Sequence, residues 1–157
     1  MADSRNPAEQ DPAGFPSDPQ KVRKRTRARE LVLRALYLVD VRGPEAGAQV
    51  PAFFAGETAD PDVLQFAREL FDGCIANRDE LDRNIAVVAE NWEIHRMAVI
   101  DRNILRLGTY EMMFVGDIPP KVSINEAIDL AKRYSTADSG AFVNGILDKL
   151  RRQLRPE

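Results

Sequence analysis

Cysteine, histidine and catalytic glycine loops are scarce in this sequence, and each scarcity closes off a class of chemistry. The 157 residues hold one cysteine, Cys74, and one histidine, His95. A lone cysteine forms no internal disulfide, which suits a reducing cytoplasm. A zinc site would need more Cys or His than the chain owns. Any Ser–His–Asp or Cys–His centre would have to use His95, and nothing in the sequence brings it to Cys74. No P-loop, GxGxxG or GxSxG occurs. Nor does any run approach the ~20 apolar residues of a membrane span, and the N-terminus lacks the apolar core of a signal peptide. His95 is expected to be an ordinary, partly exposed histidine, Cys74 a small core hydrophobe, and Asp79, Glu80 and Asp82 a solvated face. The sequence thus offers no equipment for catalysis, cofactor or metal.

What is present is an unevenly placed charge. The chain carries a net charge of −3. Residues 1–20 set Arg5 against Asp3, Glu9, Asp11 and Asp18. Residues 21–34 then carry Lys21, Arg23, Lys24, Arg25, Arg27, Arg29 and Arg34 against Glu30 alone. A basic block on an acidic body points to an anionic partner. A solvated helix face is the competing explanation. Two features weigh against it: cations in a first helical turn oppose the macrodipole, and arginines offer planar forks for phosphate and faces for bases. A membrane surface fits less well, because the segment lacks interleaved Trp or Phe.

The chain otherwise reads as all-α, with six or seven helices. Residues 1–22, with Pro7, Pro12, Pro16 and Pro19, form an expected disordered tail, and 23–157 an expected helical domain. From about Arg23, residues Ala28, Leu31, Val32, Ala35, Leu36, Leu38 and Val39 fall within an arc of about 160° at 100° per residue. Gly43-Pro44 should end that helix. A short helix in "PEAGAQVPAFFAGE" is weakly indicated. Asp60-Pro61 has the form of a cap and first turn, before a stripe through Val63, Phe66, Ala67, Leu70, Phe71 and Cys74. Leu81, Ile85, Val88 and Ala89 mark another helix, and "MAVIDRNILRLGTYEMMFV" is apolar nearly all round, as befits a central one. Ser123 and Glu126 are spaced as a capping box, with Val122 or the prolines as other starting points. Asp138 or Ser139 should cap the last helix, whose stripe is Phe142, Val143, Ile146, Leu147, Leu150 and Leu154. No segment alternates long enough for a strand.

Three stretches, "RTRARELVLRALY", "NWEIHRMAVIDRNILRLGTYEM" and "DIPPKVSINEAIDLAKRYSTADSGAFVNGILDKL", together resemble the NusB family of transcription antitermination factors. The resemblance spans roughly residues 23–152. It implies an all-α, NusB-like fold of about seven helices, two three-helix subdomains plus a short helix, without catalytic activity. It also implies binding of boxA-type single-stranded leader RNA together with NusE, a small-subunit ribosomal protein. That assembly joins RNA polymerase in the antitermination complex on ribosomal RNA operons. Residue by residue, the resemblance assigns Arg25, Arg27 and Arg29 to RNA phosphates and base edges. Thr26 stands where many relatives have arginine, for which Arg23 and Lys24 compensate. Phe142 matches a base-stacking aromatic, against the alternative of a core anchor. Asp138 lies by the implied RNA path, while chemically it reads as a cap. Gly140 and Ala141 stand where some relatives carry His or Lys. Asn144 and Gly145 are expected in helix packing, and Glu111 and Glu126 as buried or capping polar groups. Asp101 and Arg102 match charged positions of the NusE-facing surface, against intrahelical pairing. A homodimer is left open. Two other readings remain: an RNA-targeting module acting with an rRNA methyltransferase, and a protein–protein adaptor. No glycine-rich cofactor loop favours the first.

Overall fold

The computed structural model describes residues 18–154. Among them are seven α-helices and no strand. They are α1 (Pro19–Arg42), α2 (Val50–Glu57), α3 (Pro61–Ala76), α4 (Arg78–Val88), α5 (Val99–Phe114), α6 (Pro120–Tyr134) and α7 (Ser139–Leu154). Short 3₁₀ turns occupy Pro44–Gln49 and Ile94–Arg96.

The first helix starts earlier than its arginines suggest. Asp18 Oδ1 accepts the Gln20 N–H at 3.0 Å, and Pro19 fills the first helical position. Residues 19–22 are therefore helical rather than part of a tail, while residues 1–17 lie outside the described residues. The shift also removes one sequence argument. Only Lys21 now sits in the first turn, so Arg23 to Arg29 escape most of the macrodipole penalty. At the other end Gly43, at φ +106°, turns the chain where an L side chain would be strained. The weakly indicated second helix exists, as the 3₁₀ turn running into α2. Asp60 caps α3 as expected, accepting the Asp62 N–H at 2.9 Å.

Helices α1, α2 and α3 pack as one three-helix unit and α5, α6 and α7 as another, with short α4 against α5 and α7. Helix α5 joins the two units. It touches α1, α3, α4, α6 and α7, which explains why its sequence is apolar nearly all round. A single cluster, from Ala28 and Leu31 of α1 to Leu147 and Leu150 of α7, forms the core. Cys74 is buried in it, and burial pushes its thiol up. His95 is exposed in the Ile94–Arg96 turn. Asp79 and Glu80 are solvated, but Asp82 is not free: its carboxylate holds both Nε and Nη2 of Arg106. Of the starting points open for α6, the prolines mark the true one, and Ser123 and Glu126 do not form a capping box. Helix α6 begins three residues earlier, at Pro120, and both side chains make long-range contacts instead.

Candidate nucleic-acid interface

Along α1 the basic block runs from the surface into the core: Arg25 and Arg29, four residues apart, share one side of the helix. Arg29 falls on the inner side with Ala28, Val32 and Leu36, and its side chain is 2% exposed. Its Nε and Nη2 donate to the two oxygens of Glu111, each at 2.8 Å. Its Nη1 lies 3.3 Å from Glu126 Oε1. Ser123 Oγ donates to Glu111 at 3.0 Å, and Thr26 Oγ1 to Glu126 at 2.8 Å. Burial opposes the charge on Arg29, but Glu111 and Glu126 outweigh it and hold the guanidinium protonated. Arg29 is therefore a buried clamp between α1, α5 and α6. Thr26 likewise faces inward, as part of that network.

The remaining cations stand at the surface. Arg23 is exposed and makes no ion pair among the described residues. Lys24 lies 2.8 Å from Asp62 and 3.4 Å from Asp60. Arg25 reaches Asp117 at 3.2 Å and covers the Phe66 ring, 4.8 Å from its centroid. Arg27 lies 3.1 Å from Glu57 and 3.4 Å from Glu30. Arg34 shares Glu57 at 3.2 Å. Exposed pairs of this kind contribute roughly 0–1 kcal/mol each. A phosphate oxygen arriving at Arg25 or Arg27 replaces a carboxylate at little net cost. The acids of α2, α3 and the α5–α6 connection thus hold the arm without locking it.

The second expected part of the surface lies elsewhere. Asp138 is exposed in the turn before α7, and its carbonyl accepts the Phe142 N–H at 3.2 Å. The polar hub of that turn is Ser139, which is buried. Its Oγ donates to Asp101 at 3.1 Å and lies 2.9 Å from the hydroxyls of both Ser135 and Thr136. Phe142 is half-buried against the core and meets Trp92 edge-to-face, ring centroids 5.3 Å apart. Trp92 is 56% exposed. Asp101 in the first turn of α5 marks this end, while Asp117, beyond its last turn, marks the arginine end. Thirteen residues of α5 separate Asp101 from Phe114, roughly 20 Å. The two parts form no single pocket; a ligand touching both must be extended.

Asp101 and Arg102 are committed inside the molecule. Ser135 donates to Asp101 at 2.7 Å. Arg102 gives Nε and Nη2 to the two oxygens of Asp40, each at 2.8 Å, and Nη1 to the His95 carbonyl at 3.3 Å. Asp40 also holds Arg106 at 3.0 Å and the Asn103 amide at 2.9 Å. Burial alone would push the Asp40 carboxyl up, but Arg102, Asn103 and Arg106 prevail and bring it down to about 2. Their pairing runs between helices, not within α5, and leaves them little to offer a partner. A different face is open instead. Tyr37, Leu38 and Arg34 of α1, Phe53 of α2, Ile100 of α5 and Tyr134 of α6 line an apolar groove of about 380 Å³. Sequence reasoning missed that groove, because its side chains come from four helices. It also missed Trp92, although a lone tryptophan at a helix break was a visible signal.

The sequence profile of the NusB family matches residues 26–152. The transcription antitermination protein NusB of Desulfatibacillum aliphaticivorans is 45% identical over 134 residues, covering 85% of this chain and 94% of that protein. That of Myxococcus xanthus is 45% identical over 130 residues, covering 80% and 93%. Among solved structures, T. maritima NusB superposes with a TM-score of 0.73 at 39% identity, covering 82% of this chain and 91% of that one. A crystal structure of antitermination factors NusB and NusE in complex with dsRNA gives 0.75 at 29% identity, covering 83% and 98%.

Proposed function

The chain belongs to the NusB family of transcription antitermination factors, and from that premise we propose that its exposed α1 cations are the RNA grip. The observation that carries this is the row Lys21, Arg23, Lys24, Arg25 and Arg27. Apart from the contact of Arg27 with buried Glu30, they are accessible or held by exchangeable surface pairs, whereas Arg29 is not. RNA phosphates displace Asp117, Glu57 and Asp62 from these side chains and release counterions. At the far end Trp92 and Phe142 offer an aromatic edge on which unpaired bases stack. BoxA-type single-stranded RNA, flexible and with open base faces, fits a surface that needs a ligand spanning roughly 20 Å.

The function is binding without a chemical step, carried out in the cytoplasm with RNA polymerase. The buried Cys74 thiol is no nucleophile. NusE is the protein partner. We assign its contact to the apolar groove around Tyr37 and Tyr134 rather than to Asp101 and Arg102, since aromatic side chains with a polar tip anchor protein interfaces. Replacing Tyr37 by Ala should weaken NusE binding at least tenfold while leaving the affinity for RNA alone unchanged, as read by calorimetry.

The direct test is a titration of boxA-like, scrambled and double-stranded RNA, with and without NusE, at several salt concentrations. Single-strand binding should fall with a log–log slope of about −0.7 per neutralised phosphate. The variant Arg23→Ala/Arg25→Ala/Arg27→Ala should lose about 2 from that slope with its helicity intact. An unchanged slope would move the site off α1. Equal affinity for all three RNAs would remove the sequence-specific part.

A further inference from the structure

Beside the arginine row, an open cleft of about 410 Å³ runs between the N-terminal halves of α1 and α3. Its α1 wall carries Lys21, Lys24 and Arg25, its α3 wall Asp62, the partner of Lys24, with Gln65 and Glu69, and Phe66 lies between them. We propose that this cleft is a nucleotide subsite taking one unpaired RNA base, with Phe66 as the stacking face and Arg25 as its movable cover. The proposal rests on the reading of α1 as the RNA grip.

Three features of the cleft carry it. Phe66 is half-buried, and its ring is fixed from within by Arg29, whose guanidinium carbon lies 5.5 Å from the ring centroid. Arg29 cannot move, because Glu111 holds it in two hydrogen bonds. Arg25, by contrast, is tied down only by one surface pair to Asp117. An exposed cation over an aromatic face is worth about two- to fivefold in an equilibrium constant, whereas a stacked base is worth about five- to 150-fold. When a phosphate takes Arg25 from Asp117, exchanging the guanidinium on Phe66 for a base is favourable. The freed fork can then hold the phosphate or stack on the base's other face.

The two walls differ in chemistry, and the difference sets a base preference. Lys21 and Lys24 supply ammonium groups for the flanking phosphates. On α3, Gln65 Nε2 donates to Glu69 Oε1 at 3.2 Å, which leaves the Gln65 carbonyl and the Glu69 carboxylate as acceptors at the rim. Acceptors match the exocyclic amines of adenine, cytosine and guanine, which uracil lacks. The subsite should therefore favour an amino-bearing base over uracil.

The full chain is titrated with boxA-like single-stranded RNA as wild type, F66L, F66W and E69A. Helicity and melting are checked for each. F66L should weaken binding five- to 150-fold with an unchanged salt slope, and F66W should bind at least as tightly as wild type. E69A should narrow the preference when the RNA is changed to uracil one position at a time. Ultraviolet cross-linking of the wild-type complex should label the peptide holding residues 61–76, a readout that survives should F66L fail to fold. Wild-type affinity in a folded F66L, or cross-links that spare that peptide, would overturn the subsite. The α1 grip stands or falls separately, on the salt slope of the triple arginine variant.

Discussion

Arg29 lies one helical turn beyond Arg25, and the two guanidiniums meet opposite environments. Arg25 shares a solvated carboxylate; Arg29 and Glu111, each 2% exposed, have each other, Ser123 and Glu126 as polar partners. Removing one member of such a pair strands a charge in the core, at a cost of roughly 3–5 kcal/mol. Glu111→Ala should therefore lower stability by about that amount in urea unfolding, while Arg25→Ala should stay within about 1 kcal/mol. The double change Arg29→Met/Glu111→Leu should recover part of the loss, since it removes the buried pair but leaves Glu126 without its cation. Asp40 gives a pH signature. Its folded carboxyl lies at about 2, below the ordinary 3.8, so the stabilisation it confers is present above about pH 4 and fades as the pH falls towards 2. That amounts to about 2 kcal/mol. Unfolding midpoints of the wild type should fall across this window more steeply than those of Asp40→Asn, which is already weakened at neutral pH.

At the scale of elements, what could be read from the sequence was local, and what could not depended on distant partners. Gly43-Pro44 and Asp60-Pro61 set helix ends through their own backbones, and both act where they were read. Asp18-Pro19 has the same form as Asp60-Pro61 and does the same work, but the proline-rich residues before it disguised it as tail. Arg29 sits three residues before Val32 and seven before Leu36, a spacing that placed it on the core face. Only Glu111, 82 residues away, explains why a charge is tolerated there. Ser123 and Glu126 have the spacing of a capping box, yet their side chains serve α5 and α1 instead. The close approach of α3 to α5 was equally invisible. A Cβ at Gly73 would fall within the Tyr110 ring, which is stacked on Phe114. Gly73→Ala should cost about 1–3 kcal/mol through overpacking, despite its better helix propensity, as thermal melting would register.

Across the whole molecule, the slightly acidic body turns out to organise the basic arm. Glu57, Asp60, Asp62 and Asp117 come from three separate places in the chain and meet the cations of α1 from different sides. They keep the cations extended and spaced, in pairs weak enough to exchange for phosphate. The aromatic end works differently. Trp92 and Phe142 have no cation between them, so Trp92→Ala should weaken RNA binding without changing the salt dependence, in filter-binding titrations at two salt concentrations. The central claim, that exposed α1 cations and not the buried one hold the RNA, is tested most directly by the salt slope of boxA-like single-stranded RNA binding. Replacing Arg23, Arg25 and Arg27 by Ala in a folded protein should make that slope shallower by about 2. A slope equal to that of the wild type would contradict the account.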